Sequence, residues 1–262
     1  MDYNYHTHTY RCRHAKDKDE EYVLRAIDGG IKHMGFSDHA PFVFKEGEAD
    51  YRIPVNEVEG YFSSLSALRE KYRDKISIKI GFEMEYYPAL FEKMLEFAKK
   101  CGAEYLLLGQ HQLASTTLAE DKLGATTSVT PTENADDLKL YVNSVISAMQ
   151  SGAFSYVCHP DIIRFVGDAD VYREEMMKIC LESKRLGIPL EINFLGIRTG
   201  RHYPREEFWK IAGEVGSPVT FGFDAHTAKD AYDPISLEKA MALSEKYSLN
   251  YIGEPNIIPI NG

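Results

Sequence analysis

His6 and His8 stand two apart in the run Tyr3-Asn4-Tyr5-His6-Thr7-His8-Thr9. Alternate residues of a strand share a face, so both imidazoles can point at one object. The object that most often takes two neutral imidazoles is a divalent metal ion. A lone His-x-His would equally suit an exposed loop. Here, however, ligand-type residues follow almost every later β-rich run. His39 comes in Gly35-Phe36-Ser37-Asp38-His39, Glu83 ends the third run, and His111 follows in Leu108-Gly109-Gln110-His111. His159 opens His159-Pro160, Asp224 and His226 close the last run, and His14 lies in the loop after the first. These nine candidate ligands are too many for one zinc ion, which takes about four. They suit two or three ions, with Glu83 and Asp224 able to bridge through their two oxygens. Sites with two or three metals are typical of phosphate-ester hydrolysis.

Arg164 and Arg198 each lie a few residues beyond a β-rich run. Guanidinium forks bind phosphate bidentately, so this pair is the expected phosphate clamp. Arg185, Arg201 and Arg205 are read as surface salt bridges. His202, in Arg198-Thr199-Gly200-Arg201-His202-Tyr203, is a candidate for substrate contact or proton donation, and His33 is read as structural.

Something must gather these residues. The β-rich runs are Tyr3–His6, Met34–Ser37, Ile76–Phe82, Tyr105–Leu108, Ser155–Cys158, Pro189–Asn193 and Val219–Phe223. Segments of helical period separate them; in Val55–Tyr72 the apolar positions Val58, Phe62, Leu65 and Leu68 recur at three and four. Asn134 and Asp170 are expected N-caps, and Gly30, Gly102, Gly152 and Gly187 sit where helices should stop. Seven strands each followed by a helix imply a parallel α/β sheet. A closed barrel brings every strand's carboxyl end to one rim, where an open sheet would leave the outer ends far apart. The pattern therefore predicts a (β/α)7, TIM-like barrel with a metal site at its C-terminal rim. One domain over residues 1–262 is expected, with an insertion loop at about 114–132.

The formal charge of −10 argues against nucleic acid or an anionic membrane as partner. No apolar run approaches the ~20 residues that span a bilayer, and the chain starts on a strand rather than a secretory h-region. Cys12, Cys101, Cys158 and Cys180 form no C-x-x-C pair and read as reduced, mostly buried thiols, so a cytoplasmic setting is expected. No phosphate-binding glycine loop and no Gly-x-Ser-x-Gly elbow is present.

The order His-x-His, His, Asp-His, Gly-x-Glu, His, His-Pro, Asp-x-His resembles the polymerase-and-histidinol-phosphatase (PHP) superfamily over His6 to His226, nearly the full chain. Phe36-Ser37-Asp38-His39-Ala40-Pro41, Gly81-Phe82-Glu83, His159-Pro160-Asp161, Phe221–His226 and Arg198–Pro204 are similar to its histidinol-phosphate phosphatase branch. The resemblance implies a distorted seven-stranded barrel and three metal sites: His6, His8, Glu83 and Asp224; Glu83, His111 and His159; and His14, His39 and His226. It also implies that Arg164 and Arg198 bind phosphoryl oxygens. Gln110-His111-Gln112-Leu113 and the insertion after it depart from the usual pattern where the leaving group should be recognised. The expected reaction is hydrolysis of a small phosphate monoester, L-histidinol phosphate foremost. A hydroxide bridging two ions (zinc, iron or manganese) would attack, and Asp224 or His202 would serve the leaving alkoxide. The alternatives are a phosphoesterase of the same superfamily acting on nucleotides or other small esters, and a non-catalytic metal-binding domain.

Overall fold

In the computed structural model, which describes residues 1–41, 43–44, 47–48, 50–113 and 127–260, parallel strands alternate with helices along the chain. The strands are β1 (Tyr3–Asn4), β2 (His33–His39), a hairpin of β3 (Val43–Phe44) and β4 (Gly47–Glu48), β5 (Ser77–Met84), β6 (Leu106–Leu108), β7 (Leu190–Asn193), β8 (Pro218–Gly222) and β9 (Asn250–Tyr251). The helices are α1 (Asp19–Asp28), α2 (Val58–Tyr72), α3 (Phe91–Cys101), α4 (Ala135–Gln150), α5 (Ala169–Leu186), α6 (Phe194–Thr199), α7 (Glu206–Val215) and α8 (Pro234–Lys246).

Two parallel sheets, β1-β2-β5-β6 and β7-β8-β9, join along two narrow seams. At one, Val157 bridges Leu108 of β6 and Leu190 of β7; at the other, Thr7 bridges Ala225 beyond β8. The second seam is fastened by His8 N to Ala225 O at 3.0 Å and Ala225 N to His6 O at 3.2 Å. The sheet thus curls into a barrel whose rim carries the candidate ligands. The distortion has a local cause. β9 takes the lower half of the β8 edge, pairing Pro218 with Asn250 and Val219 with Tyr251, so the β1 strand meets β8 only near the rim. Tyr3 fills the resulting gap, its hydroxyl 3.1 Å from both Thr220 Oγ1 and Tyr251 Oη.

Tyr3, Tyr5, Tyr105, Leu107, Tyr156 and Cys158 pack together inside the barrel, and Tyr105 donates across it to Tyr5 O at 2.9 Å. Strand neighbours must leave room: a Cβ at Gly35 or Gly81 would overlap Tyr105. The larger apolar cluster lies between barrel and helices, where α2 buries Val58, Tyr61, Leu65 and Leu68. Phe62, expected on that face, is only half-buried. Asn134 caps α4 as expected, whereas α5 is capped by Asp168, whose carboxylate accepts from Asp170 N and Val171 N. Asp170 already lies inside the helix, a two-residue correction. Gly102 and Gly187 end α3 and α5 at φ of 87° and 71°, the left-handed region that glycine enters freely. All four cysteines are free thiols. Among the described residues no helix is long and apolar enough to cross a membrane. Of the expected insertion, 114–126 falls outside the described residues. Its return, Thr127, is buried and bonded to His111 O and Arg164 N.

Candidate metal centre

The register of the sheet decides which side chains meet. Parallel pairing of β2 with β5 sets His39 beside Glu83. The Thr7–Ala225 bridge sets His6 and His8 beside Asp224 and His226. His111 follows β6, and His159 follows the Val157 bridge. All nine candidate ligands are gathered at this rim.

Glu83 is the hub. Its Oε1 lies 2.9 Å from His159 Nε2 and 3.5 Å from His111 Nε2, and its Oε2 lies 3.0 Å from His39 Nδ1. His6 Nε2 is 3.7 Å from both Glu83 Oε2 and Asp224 Oδ1, and His8 Nε2 is 3.6 and 3.1 Å from the same two oxygens. Each of these four atoms is buried and has no hydrogen-bond partner. Ligand bonds of about 2.1 Å in a tetrahedron imply donor–donor edges of about 3.4 Å. Four orphaned atoms at that spacing fit a divalent cation, and an unpaired buried polar atom is otherwise expensive. Towards solvent, His226 Nε2 faces His14 Nε2 at 2.9 Å, and His39 completes a second group of close ligand atoms.

Carboxylates behind the rings orient them. His6 Nδ1 donates to Glu191 Oε1 at 2.7 Å, and His8 Nδ1 lies 3.3 Å from Asp38 Oδ1. His111 Nδ1 lies 3.4 Å from Glu85 Oε1. Such partners fix the tautomer that leaves the other nitrogen free for a metal. Burial opposes charge on His6 and His8, but the surrounding acids outweigh it and hold both well above the ordinary imidazole pKa. Burial keeps His39 well below it, and burial with the nearby His8 lowers His226. Burial opposes ionisation of Glu83 and Asp224, yet the ring of imidazoles holds both well below the usual carboxylate range. His159 and Asp224 have φ of 30° and 45°, left-handed values that non-glycine residues seldom adopt and that concentrate at functional sites.

The family model for the PHP domain matches residues 4–194 of this sequence. The chain belongs to the PHP domain family. A probable histidinol-phosphatase of Deinococcus radiodurans is 26% identical over 84% of this chain and 85% of its own length. The histidinol-phosphatase of Bacillus subtilis is 24% identical over 86% of this chain and 93% of its own. The crystal structure of a Lactococcus lactis histidinol phosphate phosphatase, complexed with zinc, L-histidinol and phosphate, superposes with a TM-score of 0.70. It is 22% identical and covers 95% of this chain and 94% of that one. This PHP chain therefore shares the distorted barrel of that protein.

A cavity of about 490 Å³ opens over the cluster, walled by Tyr51, Val129, Ile162, Leu195, Arg201 and Tyr203 among others. Arg198 lies against the end of β8: its guanidinium donates to Phe223 O at 2.6 Å and to Asp224 O, and it faces Asp230 at 3.5 Å. The reason is local, because β7 runs straight into α6, and this short helix lays Arg198 over the end of β8. Arg201, expected in a surface salt bridge, instead lines the cavity with Nη1 2.9 Å from Tyr203 Oη. Arg185 and Arg205 do pair with Glu182 and Glu207. Arg164 is exposed beside the cavity, and its charge acts on His202. His202 donates through Nε2 to Ile162 O at 2.8 Å. His33 pairs with Glu254 at 2.7 Å, away from the rim.

Glu191, Asp38 and Glu85, the carboxylates behind the rings, are not among the residues the sequence singles out. Glu191 carried a readable signal, being a lone acid in the strand Pro189-Leu-Glu-Ile-Asn193. A charge there has to be buried and therefore partnered.

Proposed function

We propose that this chain is a single-domain, metal-dependent phosphomonoesterase and that its substrate is L-histidinol phosphate. One observation carries the reading: buried, unpartnered His6 Nε2, His8 Nε2, Glu83 Oε2 and Asp224 Oδ1 converge at the floor of an open cavity. The proposed ligand sets are His6, His8, Glu83 and Asp224; Glu83, His111 and His159; and His14, His39 and His226. Glu83 would belong to the first two sets. The complex of the Lactococcus protein with zinc, L-histidinol and phosphate supports both the metal and the ester class.

Divalent ions bound there polarise phosphoryl oxygens and lower the pKa of water to near neutrality. The protein's own contribution is positional. Glu191 and Asp38 hold His6 and His8 in one tautomer. Arg198 pins the left-handed turn at Asp224 through the Phe223 and Asp224 carbonyls. Arg201 presents donors from the cavity wall to an anionic oxygen, while Ile162, Leu195 and Tyr203 exclude water around the leaving group. Arg164, at the margin, adds positive potential. Phosphate release should be assayed on histidinol phosphate, p-nitrophenyl phosphate and nucleoside monophosphates, beside elemental analysis of the purified protein. Two or more equivalents of zinc, iron or manganese, with histidinol phosphate hydrolysed fastest, is the expected result. Metal-free protein, or activity indifferent to chelators, would overturn the proposal.

A further inference from the structure

A buried cation beside the cavity has no part in the chemistry above. Arg52 is 2% exposed, and its guanidinium is paired with Glu85, 1% exposed, two residues beyond Glu83. The same guanidinium donates to Tyr51 Oη at 3.1 Å and Ala40 O at 3.4 Å. Glu85 in turn faces His111: its Oε1 accepts from the His111 backbone N–H at 3.2 Å and stands 3.4 Å from Nδ1. Its Oε2 accepts from Tyr87 Oη at 2.9 Å. The Tyr51 hydroxyl also accepts from Gln112 Nε2 at 2.8 Å, closing the loop back to the segment after His111. The Tyr51 ring lines the cavity and stands perpendicular to His39, centroids 6.0 Å apart.

A buried ion pair is weak support for stability, because desolvation offsets most of the attraction. What this one does is geometric. One planar fork joins the carboxylate behind a candidate ligand to the hydroxyl of a cavity wall. We infer that Arg52 is a positioning residue that sets the His111 imidazole and the Tyr51 ring together, with Tyr51 the wall against which the leaving group of the ester is held. The inference rests on the phosphomonoesterase reading for its kinetic half only. Lysine carries the charge, but its three donors radiate from one nitrogen, so it does not reproduce a fork that reaches Ala40 from Nη1 and Tyr51 and Glu85 from Nη2.

The test uses the full-length Arg52→Lys, Tyr51→Phe and doubly substituted chains. Zinc affinity is measured by chelator competition, and KM and kcat on the ester hydrolysed fastest. Tyr51→Phe should leave zinc affinity unchanged and raise KM about three- to tenfold with kcat within twofold. Arg52→Lys should raise KM at least as much and weaken one zinc equivalent about tenfold. The double variant should match Arg52→Lys alone, since both act through one hydroxyl. Wild-type KM in Tyr51→Phe, additive KM effects, or unchanged zinc affinity in Arg52→Lys would each overturn the inference. Should the wild-type chain hydrolyse no phosphate ester, the function proposal fails by itself. The zinc titration of Arg52→Lys still decides the coupling to His111.

Discussion

Glu191→Gln tests whether the carboxylate behind His6 governs cation binding. Glu191 is fully buried in β7; Oε1 accepts from His6 Nδ1 at 2.7 Å, and Oε2 accepts from His159 N and Asn193 Nδ2, each at 3.0 Å. Glutamine has the same shape but only one acceptor. If its oxygen turns to His159 and Asn193, its amide donates to His6 Nδ1, and the imidazole proton moves to Nε2, the atom proposed to bind metal. If the oxygen turns to His6, the amide faces two donors. Either way a ligand is misoriented or a buried donor loses its partner, and the loss in metal affinity should be about 10–100-fold, or about 1.4–2.7 kcal/mol.

The size should depend on pH. Glu191 is among the charges that hold His6 protonated against the penalty of its burial. Removing it lowers the proton competition as well as the orientation. The two effects oppose near neutral pH and separate in alkali, where His6 is neutral in both proteins. The affinity ratio should therefore grow as pH rises. Competition titration of zinc or manganese against a chromophoric chelator at two pH values reads this directly, and thermal unfolding of the metal-free proteins gives the control. Removing one partner of a buried pair also costs fold stability, so the metal-free variant should unfold at a lower temperature, and the affinities are compared where both proteins are folded. Equal affinities for the two proteins at both pH values would refute the argument.

A methyl group at Gly109 would overlap the Glu83 carboxylate. Gly109→Ala should thus abolish metal retention, read by elemental analysis, while circular dichroism still shows a folded chain. Arg198→Ala leaves the Phe223 and Asp224 carbonyls without their donor and should destabilise the fold by about 1–3 kcal/mol in denaturant unfolding. Arg201→Ala removes a charged donor from the cavity and should raise KM for a phosphate ester by about 10–100-fold with metal content intact. His6 and His8 are held well above their ordinary pKa, burial opposing and neighbouring acids prevailing, so metal loading at pH 7 should release protons. Calorimetry in buffers of different ionisation enthalpy measures this. Because a raised pKa stabilises the fold fully below about 6.5 and is lost as pH climbs through the shifted value, the metal-free chain should lose stability above neutrality as metal affinity rises.

The barrel and the gathering of the nine side chains at its rim were legible because both obey short-range rules. A strand announces itself by β-branched and aromatic runs, and a parallel strand's carboxyl end is a fixed place in the fold. A His or Glu at that point is therefore located before any packing is known. Ser155–Cys158 shows the limit, since only Val157 makes the bridge there, yet one bridge suffices to place His159. β9 was not legible: its partner is the lower half of β8, and no property of Asn250–Tyr251 states which edge it will take. The arginines show a related limit. Arg198 and Arg201 are three residues apart and equally basic, and which one reaches the cavity depends on α6 ending at Gly200 with φ of 65°. That turn sends Arg198 onto the carbonyls of Phe223 and Asp224 and releases Arg201 to the mouth. The sequence rule located the rim; the helix end selected the side chain.

The same reasoning explains why the acids behind the histidines escaped notice. A ligand is recognised by its place just past the end of a strand, but Glu191 and Asp38 lie within strands, where the period-2 pattern leads one to expect packing. Their burial makes sense only once His6 and His8 are opposite them, because a carboxylate at 0% exposure needs donors in fixed positions. A charge inside a strand of a parallel barrel is thus a signal in its own right, pointing to a nearby buried ring that it holds in one orientation.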